Sequence, residues 1–270
     1  MFDSQPLLHA ALLGLAVIVA IGFVTWLISL ACKDVSIVDR VWPIFMLAAG
    51  LTYACSLGAG GARAILTLTL AAIWALRLSS YITWRNWGGE EDYRYQEIRA
   101  RNQPNFAFKS LYLIFALQAV LAWIIAAPLL IAVAGQNTSG WLDAIGMSLA
   151  AFGILFEGIA DTQMARFKAR PENKGIVMDR GLWRYTRHPN YFGESCTWWG
   201  FFLVALGAGV GWPSVATIVS PVLLTLLLLK VSGVSLMEKD IGERRPGYRE
   251  YVARTNAFLP GLPRQSDRQL

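Results

Sequence analysis

The chain has 270 residues, of which 55% are hydrophobic and only 16% charged, and its formal net charge is +6. A single soluble core of this length cannot bury that much apolar surface, so composition excludes an ordinary water-soluble domain and points to lipid as solvent. The basic excess lies in short clusters, as on the cytoplasmic rim of any membrane protein, and so argues for neither nucleic acid nor an acidic partner.

Taken in chain order, runs of about 20 residues nearly free of charge, the length that crosses a bilayer as helix, fall near 7–31, 42–57, 64–84, 108–134, 141–164, 191–209 and 213–236. The expected fold is therefore all-α and integral to the membrane, with seven transmembrane helices. Lys33 and Arg40 follow the first span, Arg85, Arg94, Arg99, Arg101 and Lys109 the third, Arg166 to Arg187 the fifth, and Lys239 to Arg268 the seventh. The other side carries only Arg63. Basic residues near helix ends stay cytoplasmic, which puts the N-terminus outside and the C-terminus in the cytoplasm. The first span has no basic leader and exceeds the apolar stretch of a signal peptide, so it is expected to remain. Cys32, Cys55 and Cys196 are odd in number and form no C-x-x-C pair, so neither a disulfide framework nor a metal site is indicated. No repeat divides the sequence; one domain over 1–263 and a short disordered tail over 264–270 are expected.

Three cytoplasmic segments exceed what a connection needs: Arg85 to Tyr95, Arg166 to Pro189, and the tail from Met237 to Pro260. Ionisable residues also stand where spans should be apolar: Arg77 in the third, Glu157 and Asp161 in the fifth, Glu194 in the sixth, Lys230 and Glu238 toward the end of the seventh. A charge at bilayer depth costs several kcal/mol unless it is paired or faces a wet cavity. Asn190, Glu194 and Trp198 recur every four residues, Glu157 and Asp161 likewise, and Trp74, Arg77 and Tyr81 follow a three-then-four pattern, so each set shares a helix face. One such pair is more often a plain interhelical ion pair, but the whole set predicts a cavity opening to the cytoplasm.

Neither glycine cluster, Gly58 to Gly61 nor Gly207 to Gly211, has dinucleotide-fingerprint spacing, so a nucleotide would be held by side chains. Lys168, Arg170, Arg94 and the pair Arg244 and Arg245 suffice to neutralise a pyrophosphate and a 2′-phosphate, and would equally suit anionic lipid headgroups. His188, followed by Pro189 at a helix start, is more often structural than an acid or base.

The run from Gly181 through Arg187-His188-Pro189-Asn190-Tyr191 to Glu194, followed by Met237-Glu238 and then Arg245-Pro246 and Tyr248, resembles the C-terminal signature of the steroid 5α-reductase family. Asp34 to Asp39, Leu76-Arg77-Leu78, and Asn86-Trp87-Gly88 with Glu91 to Tyr95 resemble its bacterial members further. The resemblance implies a seven-helix oxidoreductase of steroid or other lipid metabolism. It would be a monomer in the bacterial inner membrane, holding NADPH in its cytoplasmic half and taking a lipophilic enone from the surrounding lipid. By the same resemblance Asn190, Tyr191 and Glu194 line the nicotinamide end with Trp198 one turn deeper, and Asp161 and Lys168 reach the adenosine and phosphates. Arg77, Asn86, Arg94 and Glu238 join the cofactor set by the resemblance, Arg170 and Arg245 as basic groups suited to its phosphates, and no metal is implied.

Conjugate reduction needs a hydride at the β-carbon and a donor at the ketone oxygen, where charge develops. The resemblance assigns the donor to Asp39 as a carboxylic acid, with Trp74 where the family has a Tyr and Tyr81 as the alternative. Isoprenylcysteine carboxyl methyltransferases share the Arg-His-Pro and later Glu elements, which leaves S-adenosylmethionine chemistry as the rival reading and a non-enzymatic lipid binder as the third. Asp39 and the basic groups suited to a 2′-phosphate favour the reductase.

Overall fold

The computed structural model describes residues 5–231 and 247–264, and every regular element among them is helical. The elements are α1 (Gln5–Cys32), α2 (Ile37–Leu57), α3 (Ala62–Arg85), the short α4 (Tyr93–Arg101), α5 (Phe106–Ala134), α6 (Trp141–Lys168), α7 (Pro189–Gly207), α8 (Trp212–Lys230) and α9 (Tyr248–Arg254). Six of these, α1, α2, α3, α5, α6 and α8, are long and apolar enough to cross a membrane. The chain is thus a multi-pass, all-α membrane protein. α7, where a further span was expected, has 19 residues but is not among the six, because Asn190, Glu194, Ser195 and Thr197 dilute its hydropathy.

Three helices depart from the expected spans for identifiable reasons. α2 begins at Ile37 rather than near 42, since Asp34 accepts hydrogen bonds from the Ser36 amide at 2.8 Å and hydroxyl at 2.5 Å, fixing the turn that launches the helix. Its first turn is polar, with Asp39 where the helix dipole favours negative charge. α5 contains a π-helical stretch at Leu111–Ala116 and breaks at Ala126, two residues before Pro128, which has no N–H to donate. α8 is interrupted at Thr217 and Ile218.

The chain packs as two compact units, Met1–Met147 with Phe201–Ser220, and Ser148–Gly200 with Pro221–Leu270. The first is joined by close approaches at small residues: Gly14 of α1 lies under the Tyr53 ring of α2, and a Cβ on Gly50 would meet Leu68 of α3 at 2.9 Å and Leu129 of α5 at 3.1 Å. Large apolar side chains on α1, among them Leu12, Phe23 and Ile28, are exposed, as lipid-facing residues should be. At one end Arg63 is buried and forked onto Asp143 at 2.5 and 3.0 Å, and it also donates to Asn137 at 2.9 and 3.1 Å. The one basic residue expected on the outer side is therefore a buried clamp between α3 and α6, with Asn137 tied in by its own amide bond to the Gly207 carbonyl at 3.0 Å.

In the second unit the buried positions of α6 are Ala150, Gly153, Ile154, Glu157, Ala160, Asp161 and Phe167, a helical stripe opposite the exposed Phe152, Leu155 and Ile159. The acidic face is the inward one. Segment 247–264 folds onto the Arg184 to His188 loop. Arg187 donates to the Thr255 carbonyl at 2.6 Å, the Thr186 hydroxyl to the Phe258 carbonyl at 2.8 Å, and the Tyr251 hydroxyl to the Trp183 carbonyl.

Candidate functional site

In the first unit the polar start of α2 meets the segment between α3 and α5. Asp39 accepts from Arg94 Nη2 at 2.9 Å on Oδ2 and from the Tyr95 hydroxyl at 2.5 Å on Oδ1, so both carboxylate oxygens are engaged. Arg94 also forks onto Asp92 at 2.9 and 3.0 Å. Pro43, inside α2, has no N–H for the Asp39 carbonyl four residues back. Arg40 pairs with Asp34 at 3.5 Å, while its own carbonyl accepts from the Ser79 hydroxyl at 2.5 Å, tying α2 to α3.

A second tie lies beside the first. Glu91 accepts from the Val35 amide at 2.9 Å and from Arg99 at 2.7 and 2.9 Å, and Arg99 covers the Phe106 ring at 4.6 Å. Partial burial pushes the Glu91 carboxyl up, but the Arg99 and Val35 hydrogen bonds and the Arg99 charge outweigh it and hold the group below its usual range. Asp92 is lowered in the same way, Arg94 overriding its desolvation. Burial first and the Asp39 charge second push the Tyr95 phenol well above its usual value, so the phenol keeps its proton and donates to Asp39.

In the second unit two glycines bring the acidic residues together. A Cβ on Gly153 of α6 would lie 2.5 Å from the Gly193 carbonyl and the Thr197 amide of α7, and one on Gly193 would lie 2.7 Å from the Glu157 amide. The two backbones touch there, as small residues allow. The contact sets Glu157, 2% exposed, beside the turn of α7 that carries Glu194, 7% exposed, and Asp161, 5% exposed, is one turn along α6. Trp198 is fully buried one turn beyond Glu194, whereas Asn190 and Tyr191 are half-buried. His188 is buried, stacks on Tyr191 with centroids 5.3 Å apart, and donates its backbone N–H to the Thr186 hydroxyl at 3.3 Å. Trp183 donates to the Ala160 carbonyl at 3.0 Å and fixes the loop on α6. Lys168 and Arg170 are exposed at the end of that helix.

The remaining expected residues distribute as follows. Trp74 is buried and Arg77 half-buried within α3, and Tyr81 lies near its end, tilted against Trp84 and under Arg85. Asn86 caps α3, its carbonyl accepting from Arg40 at 3.4 Å. Glu238 and Arg245 lie outside the described residues. Asp39 and Arg94 were expected at opposite ends of a cofactor-substrate pair; they are in contact. Tyr95, Asp92, Gly153 and Gly193 were not assigned from sequence. The four-residue step from Gly153 to Glu157, a small residue one turn before a buried acid, is the signal that could have found the glycines.

Long apolar helices with buried charged groups at their ends and crossings assign the chain to the multi-pass, all-α membrane proteins. More particularly, the chain belongs to the family described as "Protein of unknown function (DUF1295)", whose model matches residues 25–255 and so takes in both clusters. A Schizosaccharomyces pombe protein described as "Uncharacterized protein C594.04c" is 28% identical over 280 aligned residues, covering 92% of this chain and 79% of the relative. No solved structure matches.

Proposed function

We propose that this chain is an NADPH-dependent reductase of the conjugated C=C bond of a lipophilic enone, a 3-oxo-Δ4-steroid or a molecule of similar shape. In this reading it crosses a bacterial inner membrane seven times, with its N-terminus outside and its cofactor residues facing the cytoplasm. The observation that carries the proposal is the set of buried carboxylates Glu157, Asp161 and Glu194 at the glycine-mediated crossing of α6 and α7. Ionisable groups inside a span are costly and are retained where they serve a site.

These residues fit the cofactor by chemistry. Glu194 offers an acceptor to a carboxamide, Asp161 one to sugar hydroxyls, and Lys168 and Arg170, exposed at the end of α6, offer cations to phosphates. NADPH would supply the hydride. The chain's own part is to hold a donor for the developing enolate oxygen, and we assign this to Asp39 in its protonated, carboxylic acid form, which gives its own proton to that oxygen while Tyr95 orients it. The Tyr95 hydroxyl already donates to Asp39, and Arg94 fixes the carboxylate from the other side. Trp74 and Tyr81 on α3 are the groups we place along the substrate.

The test is ligand-dependent thermal stabilisation of the detergent-purified protein. NADPH is expected to stabilise it and NADH to bind roughly ten- to a hundredfold more weakly, because the 2′-phosphate adds charge-assisted bonds of about 1.5–3 kcal/mol each. Glu194→Ala is expected to weaken NADPH without unfolding the bundle. Equal affinity for the two nucleotides would overturn the phosphate assignment, and stabilisation by S-adenosylmethionine alone would make the chain a methyltransferase.

A further inference from the structure

A cavity of about 240 Å³ lies within the first unit, apart from the Asp39 cluster of that unit, lined by Ala11 of α1, Tyr53 of α2, Trp123, Ile124 and Leu130 of α5, and Val219 of α8 among others. Its origin is the pair of helix interruptions at Ala126 in α5 and at Thr217 and Ile218 in α8, which leave two spans locally unable to close on their neighbours. Tyr53 stands fourteen residues beyond Asp39 on α2, about 21 Å at 1.5 Å rise per residue. The two places are too far apart to be one site for a small molecule.

The lining has no charged residue, and its polar side chains, with one exception, are spent on backbone. The Trp123 indole donates to the Ala11 carbonyl at 2.8 Å, the Thr217 hydroxyl to the Ser214 carbonyl at 2.7 Å, and the Ser220 hydroxyl to the Ile125 carbonyl at 2.6 Å. The exception is Tyr53. Its side chain is 1% exposed, and its hydroxyl makes no hydrogen bond among the described residues. A buried phenol normally finds a partner, because leaving one unsatisfied costs about 1–3 kcal/mol. A dry apolar cavity supplies none, and water in such a cavity would lack the two to four polar partners it needs. Val219 and Ala216 are exposed on the lipid-facing surface, so the cavity is reached from the bilayer.

We propose that this cavity binds the oxygen-bearing end of a neutral lipophile drawn from the membrane, with its single hydroxyl or carbonyl oxygen hydrogen-bonded to Tyr53. The volume sets the size of the buried part. A 150 Å³ apolar cavity holds benzene, so this one takes roughly ten heavy atoms, the end of a chain or a small ring system and not a whole phospholipid. The absence of charge excludes a phosphate or carboxylate headgroup from the same position.

The experiment is photolabelling of the full chain in phosphatidylcholine nanodiscs with a dodecanol carrying a mid-chain diazirine, and mapping of the adducts by mass spectrometry. The expected result is labelling concentrated on α5 around Ile124 to Leu130, suppressed by excess 1-dodecanol and not by equal n-dodecane. Tyr53→Phe should weaken competition by 1-dodecanol roughly three- to tenfold, the loss of one hydrogen bond, without lowering the melting temperature of the ligand-free protein. Ala127→Phe, which fills the cavity, should abolish the focused labelling, and Asp39→Asn should leave it unchanged. Competition by n-dodecane as strong as by 1-dodecanol, or a Tyr53→Phe protein indistinguishable from wild type, would overturn the assignment. Loss of labelling in Asp39→Asn would overturn the claim that the two sites are separate.

Discussion

Glu91 joins the segment after α3 to the chain just before α2 through the Val35 amide, and two charge-assisted bonds from Arg99 hold its carboxylate in place for that contact. Its carboxyl is held below the unfolded value of about 4.3, so its contribution to stability is complete above that value and is lost as pH falls through the folded one. The melting temperature of Glu91→Gln is therefore expected to lie below that of wild type at pH 7, and the gap to close below about pH 4. A gap that persists in acid would mean that the bonds do not depend on charge. Asp39 is a second carboxylate with two partners. Held by a guanidinium and a phenol at once, it is positioned by its partners, which is why the proposal makes Asp39 the donor in its carboxylic acid form and Tyr95 the group that orients it. Its carboxylate was singled out in sequence by the family resemblance. Its contacts with partners 55 and 56 residues away were not legible there, because no local pattern records a contact across that separation. Arg63 is a similar case: charge counting finds it, but only packing reveals a buried forked pair with Asp143, whose loss of one partner typically costs about 3–5 kcal/mol.

Among the elements, the contact of α6 and α7 is the most exacting, because backbone meets backbone at Gly153 and Gly193 and neither side can yield as a flexible side chain would. Gly193→Val is expected to lower the melting temperature and to abolish NADPH-dependent stabilisation together, since overpacking of about 1–3 kcal/mol is relieved only by parting the helices that carry Glu157 and Glu194. Cys196→Val, half-buried on the same helix, is the control and should be milder. Equal melting temperatures for Gly193→Val and wild type would show that the helices have room. The long apolar elements were legible because hydropathy over about 20 residues is a strong signal. The polar first turn of α2 was not, since Asp39 and Arg40 lower the local average although Asp34 starts the helix ahead of them. Nor were the interruptions of α5 and α8 expected: an apolar run looks the same in sequence whether its helix is continuous or broken, and only Pro128 marked the first.

For the whole molecule, the buried core of the described residues is mostly apolar, yet large apolar side chains are also exposed and α6 turns its acidic residues inward, as lipid as solvent requires: apolar side chains can stay outside and polar ones must find partners. Composition predicted the apolar exterior, and the recurrence of Glu157 and Asp161 predicted that they share a face. The reductase assignment is most directly tested by following the hydride itself. The purified protein would be incubated with progesterone and NADPH deuterated at the transferable position, and the product examined by mass spectrometry and NMR. The account predicts a 5α-reduced product carrying one deuterium at the former β-carbon, with Asp39→Asn slowing the reaction on the order of ten- to a thousandfold while NADPH affinity stays near wild type. Reduced product without deuterium from wild-type protein that binds NADPH, or an Asp39→Asn protein that turns over at the wild-type rate, would contradict it.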